Sequence, residues 1–141
     1  MILYRHFESK ADLYRAALDR ACTRLAAAVG TDTFDEGSVA ALVRAADDDP
    51  DGFGLLFRHA KREPEFRDVI DALSAVSTDI ARRTLSGRLP DDPWLEWASR
   101  LVPVVTIEAV LAWLDAGRPD PDLAGERIGD VIDGVLAAIA P

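Results

Sequence analysis

Asp92-Pro93-Trp94-Leu95-Glu96-Trp97-Ala98-Ser99-Arg100-Leu101-Val102-Pro103-Val104-Val105-Thr106-Ile107-Glu108-Ala109-Val110-Leu111-Ala112-Trp113-Leu114-Asp115-Ala116-Gly117 decides the fold class. The aspartate-proline pair opens a helix: proline's missing N–H costs nothing at the first helical position, and the aspartate before it can cap free backbone donors. Gly117 closes it, at the place where a left-handed residue ends a helix. Between them nothing alternates like a strand, and apolar residues occupy nearly every side. A helix over 93–116, about 34 Å long at 1.5 Å per residue, therefore needs cover all round. Pro103 lies ten residues into it and should kink it, opening space between helices.

The same punctuation runs outward through the chain. Asp49-Pro50, Glu63-Pro64 and Asp120-Pro121 read as further helix starts, and Gly30 and Gly87 as further stops. Between these marks Leu18, Cys22, Leu25 and Val29 recur at helical spacing, as do Phe53, Leu56, Phe57 and Ala60, and Phe66, Ile70, Leu73, Ser77 and Ile80. The spacing predicts helices near 10–28, 38–47, 50–62, 64–86, 93–116 and 121–139, an all-α chain. Its 141 residues, 49% hydrophobic and 29% charged, suit one folded domain. One cysteine excludes a disulfide framework, and two histidines leave little for a metal site. Met1-Ile2-Leu3-Tyr4 runs straight into Arg5-His6 with no apolar signal core, and the apolar stretch Leu101 to Leu114 is short for a bilayer span. The expectation is a cytoplasmic protein with no membrane segment.

The final helix puts Ile128, Val131, Ile132, Val135, Leu136 and Ile139 on one wide stripe, and Gly125 and Gly129 permit a neighbouring backbone to come close. Two adjacent, over-apolar helices predict an antiparallel pair that meets its own copy as a four-helix bundle, with Trp113, Ile128, Val131, Ile132, Val135 and Leu136 at the homodimer interface. The other arrangement is a monomer in which 93–116 is buried centrally.

Charge is distributed unevenly. Residues 1–28 carry +2 and residues 29–141 carry −11, which together make the net −9. A net charge of that sign, taken whole, argues against electrostatic grip on nucleic acid, but it averages a basic start over an acidic remainder. Ser9 with Asp12 forms a variant capping box that starts a helix at Lys10, after a preceding helix ending near Phe7. A lysine at a helix N-terminus opposes the helix dipole. An anion held by the free N–H groups, Lys10, Tyr4 and His6 would account for it; so would a solvated lysine beside an aromatic helix corner.

The stretch Leu3-Tyr4-Arg5-His6-Phe7-Glu8-Ser9-Lys10-Ala11-Asp12-Leu13-Tyr14 resembles the end of the DNA-binding domain of the tetracycline-repressor (TetR) family of bacterial transcriptional regulators. The segment Gly52-Phe53-Gly54-Leu55-Leu56-Phe57-Arg58-His59-Ala60-Lys61-Arg62-Glu63-Pro64-Glu65-Phe66 also resembles one seen in some members. The resemblance implies that Met1–Phe7 is the second half of a recognition helix, that Tyr4, His6 and Lys10 contact DNA, that residues 1–28 end a helix-turn-helix module with its connecting helix, and that 29–141 form a ligand-binding and dimerisation domain. Family members carry further helices before this point. The expectation is a longer working regulator in which Met1 is an internal methionine, with operator DNA bound only by that longer form.

Candidate chemistry is sparse. Asp47-Asp48-Asp49-Pro50-Asp51-Gly52 opens like an EF-hand calcium loop, but Arg58 stands where the closing glutamate belongs and Pro50 starts a helix inside it, so a capped helix start explains the run. A small apolar or amphipathic ligand would find Phe53, Phe57, His59, Ser77, Trp97, Leu101 and Glu108 among the helices from 38 to 116, although aromatic residues at this spacing also serve as core and His59 can equally sit between helices or at the surface. Glu108 interrupts an apolar helix and needs a partner: an arginine across the dimer, a raised pKa, or a cationic ligand. Cys22 shares the stripe of Leu18 and Leu25 and reads as an inert buried thiol. No phosphate loop, nucleophile elbow, catalytic triad or cofactor motif can be assembled, so an enzyme is not expected. By resemblance the function is a ligand-released repressor in which ligand moves the helix starting at Lys10 and respaces two recognition helices. The alternative is a dimeric small-molecule-binding module that never touches DNA.

Overall fold

The computed structural model describes residues 9–141, and every regular element in them is helical. Helix α1 spans Lys10–Val29 and α2 spans Ser38–Asp48. Next, α3 (Pro50–Gly54), a π-helical turn (Leu55–His59) and α4 (Ala60–Arg62) run on as one rod over 50–62. A 3₁₀ turn (Pro64–Phe66) leads into α5 (Arg67–Leu85), followed by α6 (Pro93–Asp115) and α7 (Pro121–Ile139).

Local chemistry explains most of the boundaries. Ser9 Oγ accepts the Asp12 N–H at 3.1 Å, Asp49 accepts from Gly52 at 3.0 Å, and Asp92 accepts from Trp94 at 2.8 Å, each satisfying a donor in its helix's first turn. Gly30 and Gly117 take φ values of 88° and 86°, the left-handed stops their positions call for. Three marks behave otherwise. Glu63 and Asp120 make no side-chain cap: Glu63 leads into a 3₁₀ turn, and Asp120 is itself left-handed at φ 44°, away from the extended backbone a cap needs. Gly87 follows a helix that ends at Leu85, where the N–H groups of Arg88 and Leu89 both return to the Leu85 carbonyl.

Three apolar clusters hold the helices. The first joins Leu42, Val43 and Ala46 of α2, Phe53 of α3, Val110, Leu111 and Trp113 of α6, and Ala124 and Ile128 of α7, with Leu25 and Val29 of α1 packed against it. The second sets Leu18 of α1 against Leu56, Ala60 and Phe66, under Tyr14, Ile70 and Leu73. The third closes the opposite end with Leu85, Leu89, Leu95 and Ala98, backed by Leu136 and Ile139. Leu18, Leu56, Leu95 and Val110 are fully buried, each worth about 1.5–3 kcal/mol relative to exposure. Because α1 joins two of these clusters, packing runs without a break across residue 28.

Polar clamps finish the frame. Arg83 donates to the carbonyls of Thr31 and Asp32, both at 3.0 Å, and Thr84 Oγ1 accepts the Phe34 N–H at 2.9 Å, which pins the α1–α2 loop to α5. Trp113 Nε1 donates to the Pro119 carbonyl at 2.9 Å, bracing the turn that reverses α6 into α7. The Cβ that Gly125 lacks would meet Ala40 Cα and Cβ at 3.1 Å, so this glycine does bring α7 close to the α2 backbone; Gly129 has nothing within 4 Å and serves no such contact.

Helix α6 departs from expectation in one respect. The run from 101 to 114 is short for a bilayer, yet the helix continues on both sides of it to 23 residues, long and apolar enough to cross a membrane by length and composition. It runs through Pro103 unbroken.

Candidate functional site

The seven residues predicted to line one ligand pocket do not converge. Phe53 is buried in the first cluster with its ring 4.6 Å from that of Phe57. His59 is exposed on the π-helical turn, Ser77 is half-buried on α5, and Leu101 is half-buried on α6. Trp97 is 45% exposed and meets Trp94 edge-on at 5.4 Å. Glu108 is exposed on the long side of α6 that the other described helices leave uncovered.

Among the described residues two open clefts each take one of the seven, Trp97 the first and Phe53 the second. A cleft of about 410 Å³ lies between the start of α6 and the end of α7, walled by Trp94, Trp97, Leu89 and Ile139 with Asp92 at its edge. The other, about 290 Å³, lies where α1, α2 and α3 meet. Its floor is Ala21, Leu25, Phe53 and Leu56; Arg24 and Asp49 face each other over its mouth at 3.5 Å, with Asp48 beside them. An apolar floor with opposed charges at the rim suits a small amphipathic molecule. The sequence pattern pointed to Phe53 here but missed Arg24, which looks like any exposed arginine until α2 and α3 are folded against α1.

The aspartate run beside this cleft is occupied with structural duties. Asp49 caps α3 and pairs with Arg24, while Asp47 holds Arg118 at 3.1 Å. Among the described residues no three His, Cys, Asp or Glu side chains are grouped to hold a metal ion.

The π-helical turn is the feature that no sequence signal marked. It puts an extra residue into the ladder, and Arg58 on it donates to the Leu111 carbonyl at 3.2 Å and to the Asp115 carboxylate at 2.6 Å, fastening this rod to α6. The hydrogen bond to Asp115 raises the Arg58 pKa, with a smaller contribution from Glu108.

The predicted dimer residues fall into two groups. Trp113, Ile128 and Ile132 are buried within their own chain, Trp113 on α6 and the two isoleucines on the side of α7 that packs on α2 and α6. Leu136 is half-buried against the third cluster and Val135 half-buried beside it, whereas Val131 is 56% exposed. On α6, Trp94, Trp97 and Val104 are exposed at three- and seven-residue intervals, a stripe that no other helix among the described residues covers.

Lys10 is exposed in the first turn of α1. Tyr4 and His6 lie outside the described residues, as does the segment read as a recognition helix. Cys22 is half-buried in the second cluster, and its thiol pKa is pushed up first by burial and then by Asp19.

No family model matches the chain, and no curated protein matches it either.

Proposed function

We propose that this chain is the ligand-sensing, dimer-forming part of a TetR-like transcriptional regulator without catalytic activity. The observation that carries the reading is the uncovered apolar side of α6, where Trp97 is 45% and Val104 55% exposed, next to Val131 of α7 at 56%. Large side chains of this kind in a row are seldom left to water. In the proposed homodimer the two chains meet α6 and α7 against α6 and α7 in a four-helix bundle; Val104, Val131 and Val135 face the copy, and Trp113, Ile128 and Ile132 stay in each protomer's own core.

A small amphipathic ligand enters the cleft among α1, α2 and α3. Ala21, Leu25 and Ala28 on its wall belong to α1, the helix that begins at Lys10, so filling the cleft bears directly on that helix. In the repressor that the resemblance of Leu3–Tyr14 implies, moving α1 respaces two recognition helices, and Tyr4, His6 and Lys10 contact the operator. The setting proposed is cytoplasmic. No cofactor takes part.

The test is gel retardation with a form extended upstream in its reading frame, on DNA from its own promoter region. The expected result is a retarded complex whose affinity falls as salt rises and which a small apolar ligand releases. A dimer that binds the ligand yet retards no DNA in any form leaves the binding-module alternative instead.

A further inference from the structure

The cleft among α1, α2 and α3 has an apolar floor and three ionised side chains on its wall: Arg24 of α1, Asp48 at the end of α2, and Asp49 at the joint between α2 and α3. They are not equally free to move. Asp49 is held by backbone and side chain together: its N–H donates to the Ala45 carbonyl at 3.2 Å, its carbonyl accepts the Phe53 N–H at 3.0 Å, and its Oδ1 accepts the Gly52 N–H at 3.0 Å. Gly52 makes room for this, since a Cβ there would run into the Asp49 carboxylate. The remaining oxygen, Oδ2, meets Arg24 Nη1 across the mouth at 3.5 Å. Arg24 has only that tie among the described residues, and its side chain is 67% exposed. An exposed pair at this distance is weak and is screened by salt. Asp48 forms no ion pair among the described residues. Other charges nearby lie off the wall: Asp47 holds Arg118 at 3.1 Å, and Arg20, Arg44 and Asp51 do not line the cleft.

We propose that the ligand of this cleft is an organic ammonium, with its hydrocarbon part on Leu25, Phe53 and Leu56 and its N–H groups donating to Asp49 Oδ2, beside Asp48, in the place Arg24 now takes. This rests on the ligand-binding part of the proposed function and names the head group which that part leaves open. An ammonium meets a carboxylate that the fold has already fixed, and the charge-assisted bond forms without ordering a side chain. A carboxylate ligand would instead have to immobilise Arg24, the free member of the pair, and would bring its own charge up to two aspartates. Exchange of Arg24 for the ligand also has a structural consequence. Arg24–Asp49 is one of two ion pairs that α1 makes among the described residues, the other being Arg15–Asp68, so binding unties α1 from α3 and leaves its tie to α5 in place.

Three probes of equal chain length separate the head groups: octylamine, octanoate and octanol, each titrated into the 141-residue chain at neutral pH by calorimetry. Amide NMR shifts at Ala21, Leu25, Phe53 and Leu56 report binding in the cleft. Octylamine is expected to bind most tightly, and less tightly as salt rises. Asp49→Asn keeps a residue that caps a helix as well as aspartate does, and should lower octylamine affinity roughly tenfold while leaving octanol unchanged. Arg24→Gln removes the competing cation and should raise octylamine affinity; Asp51→Asn, off the wall, should not change it. Circular dichroism and urea midpoints show whether each variant is folded, and Asp48→Asn, expected to weaken octylamine by a smaller factor, serves if Asp49→Asn is not. Octanoate or octanol bound more tightly than octylamine at these amides overturns the ammonium and leaves the cleft standing as a ligand site. Weaker octylamine binding in Arg24→Gln, or a loss in Asp51→Asn equal to that in Asp49→Asn, overturns it as well. If none of the three probes shifts these amides, the ammonium and the ligand cleft fall together. No DNA enters the titration, so operator binding is judged separately.

Discussion

Arg15 and Asp68 meet at 2.9 Å across 53 residues of sequence, where the second turn of α1 lies against the first turn of α5. The guanidinium also lies 5.4 Å from the Phe66 ring centroid, so one side chain joins charge, ring and backbone carbonyl in a single clasp. Through it α1 and α5 are tied at this end.

The Arg15 hydrogen bond, reinforced by its charge, holds the Asp68 carboxyl below its ordinary value. A depressed carboxylate pKa in the folded state stabilises above the unfolded value, and that stabilisation is lost as pH falls through the folded pKa. Arg15→Ala should therefore unfold at lower urea than the parent at neutral pH, with the gap narrowing as the solution is acidified through and below the carboxylate range. Both partners are exposed, so the gap is small and shrinks with added salt. A gap that widens in acid contradicts the assignment.

Asp92 and Glu63 both precede a helix-opening proline, but only the Asp92 side chain accepts from the helix it precedes. Asp92→Ala should cost about 0.5–2 kcal/mol. Glu63→Ala should stay within about 0.5 kcal/mol, as surface changes without a specific role do. Urea midpoints of the two variants, measured side by side, check the ranking.

Gly125 and Gly129 differ by a single turn of α7 and should respond oppositely to alanine. At Gly129 the new methyl meets nothing, so the gain in helix propensity, about 0.5–1 kcal/mol, is kept. At Gly125 it meets the Ala40 backbone at 3.1 Å, and α2 and α7 must separate to admit it. Thermal melts should place Gly129→Ala above the parent and Gly125→Ala below Gly129→Ala.

Val104 is 55% exposed at the centre of the uncovered side of α6. Val104→Glu should convert a dimer to a monomer in light scattering while helicity by circular dichroism is retained. A parent chain that runs as a concentration-independent monomer rules the dimer out.

Legibility in the sequence followed the range of the interaction. The all-helical class and the six rods could be read from proline, aspartate and glycine at their ends and from apolar spacing between them, since capping and helical periodicity act within a few residues. The π-helical turn at Leu55–His59 could not: Leu56 packs on Leu18 while Arg58 reaches Leu111, and both ties come from distant parts of the chain. The scatter of the candidate ligand residues has the same cause. Phe53 and Trp97 share an apolar character but face different clefts at opposite ends of the bundle, and only the way α3 and α6 pack separates them.

Chain chemistry alone thus settles where the backbone coils, because donors, caps and φ preferences are local. Which side of each coil meets its neighbours is a competition among helices. Ile128 and Val131 show the outcome: both belong to the apolar stripe of α7, yet packing against α2 and α6 buries Ile128 to 9% exposure and leaves Val131 at 56%. Glu108 shows it from the other direction: a carboxylate in an apolar run, it stands on the side of α6 that the other described helices of its own chain leave uncovered.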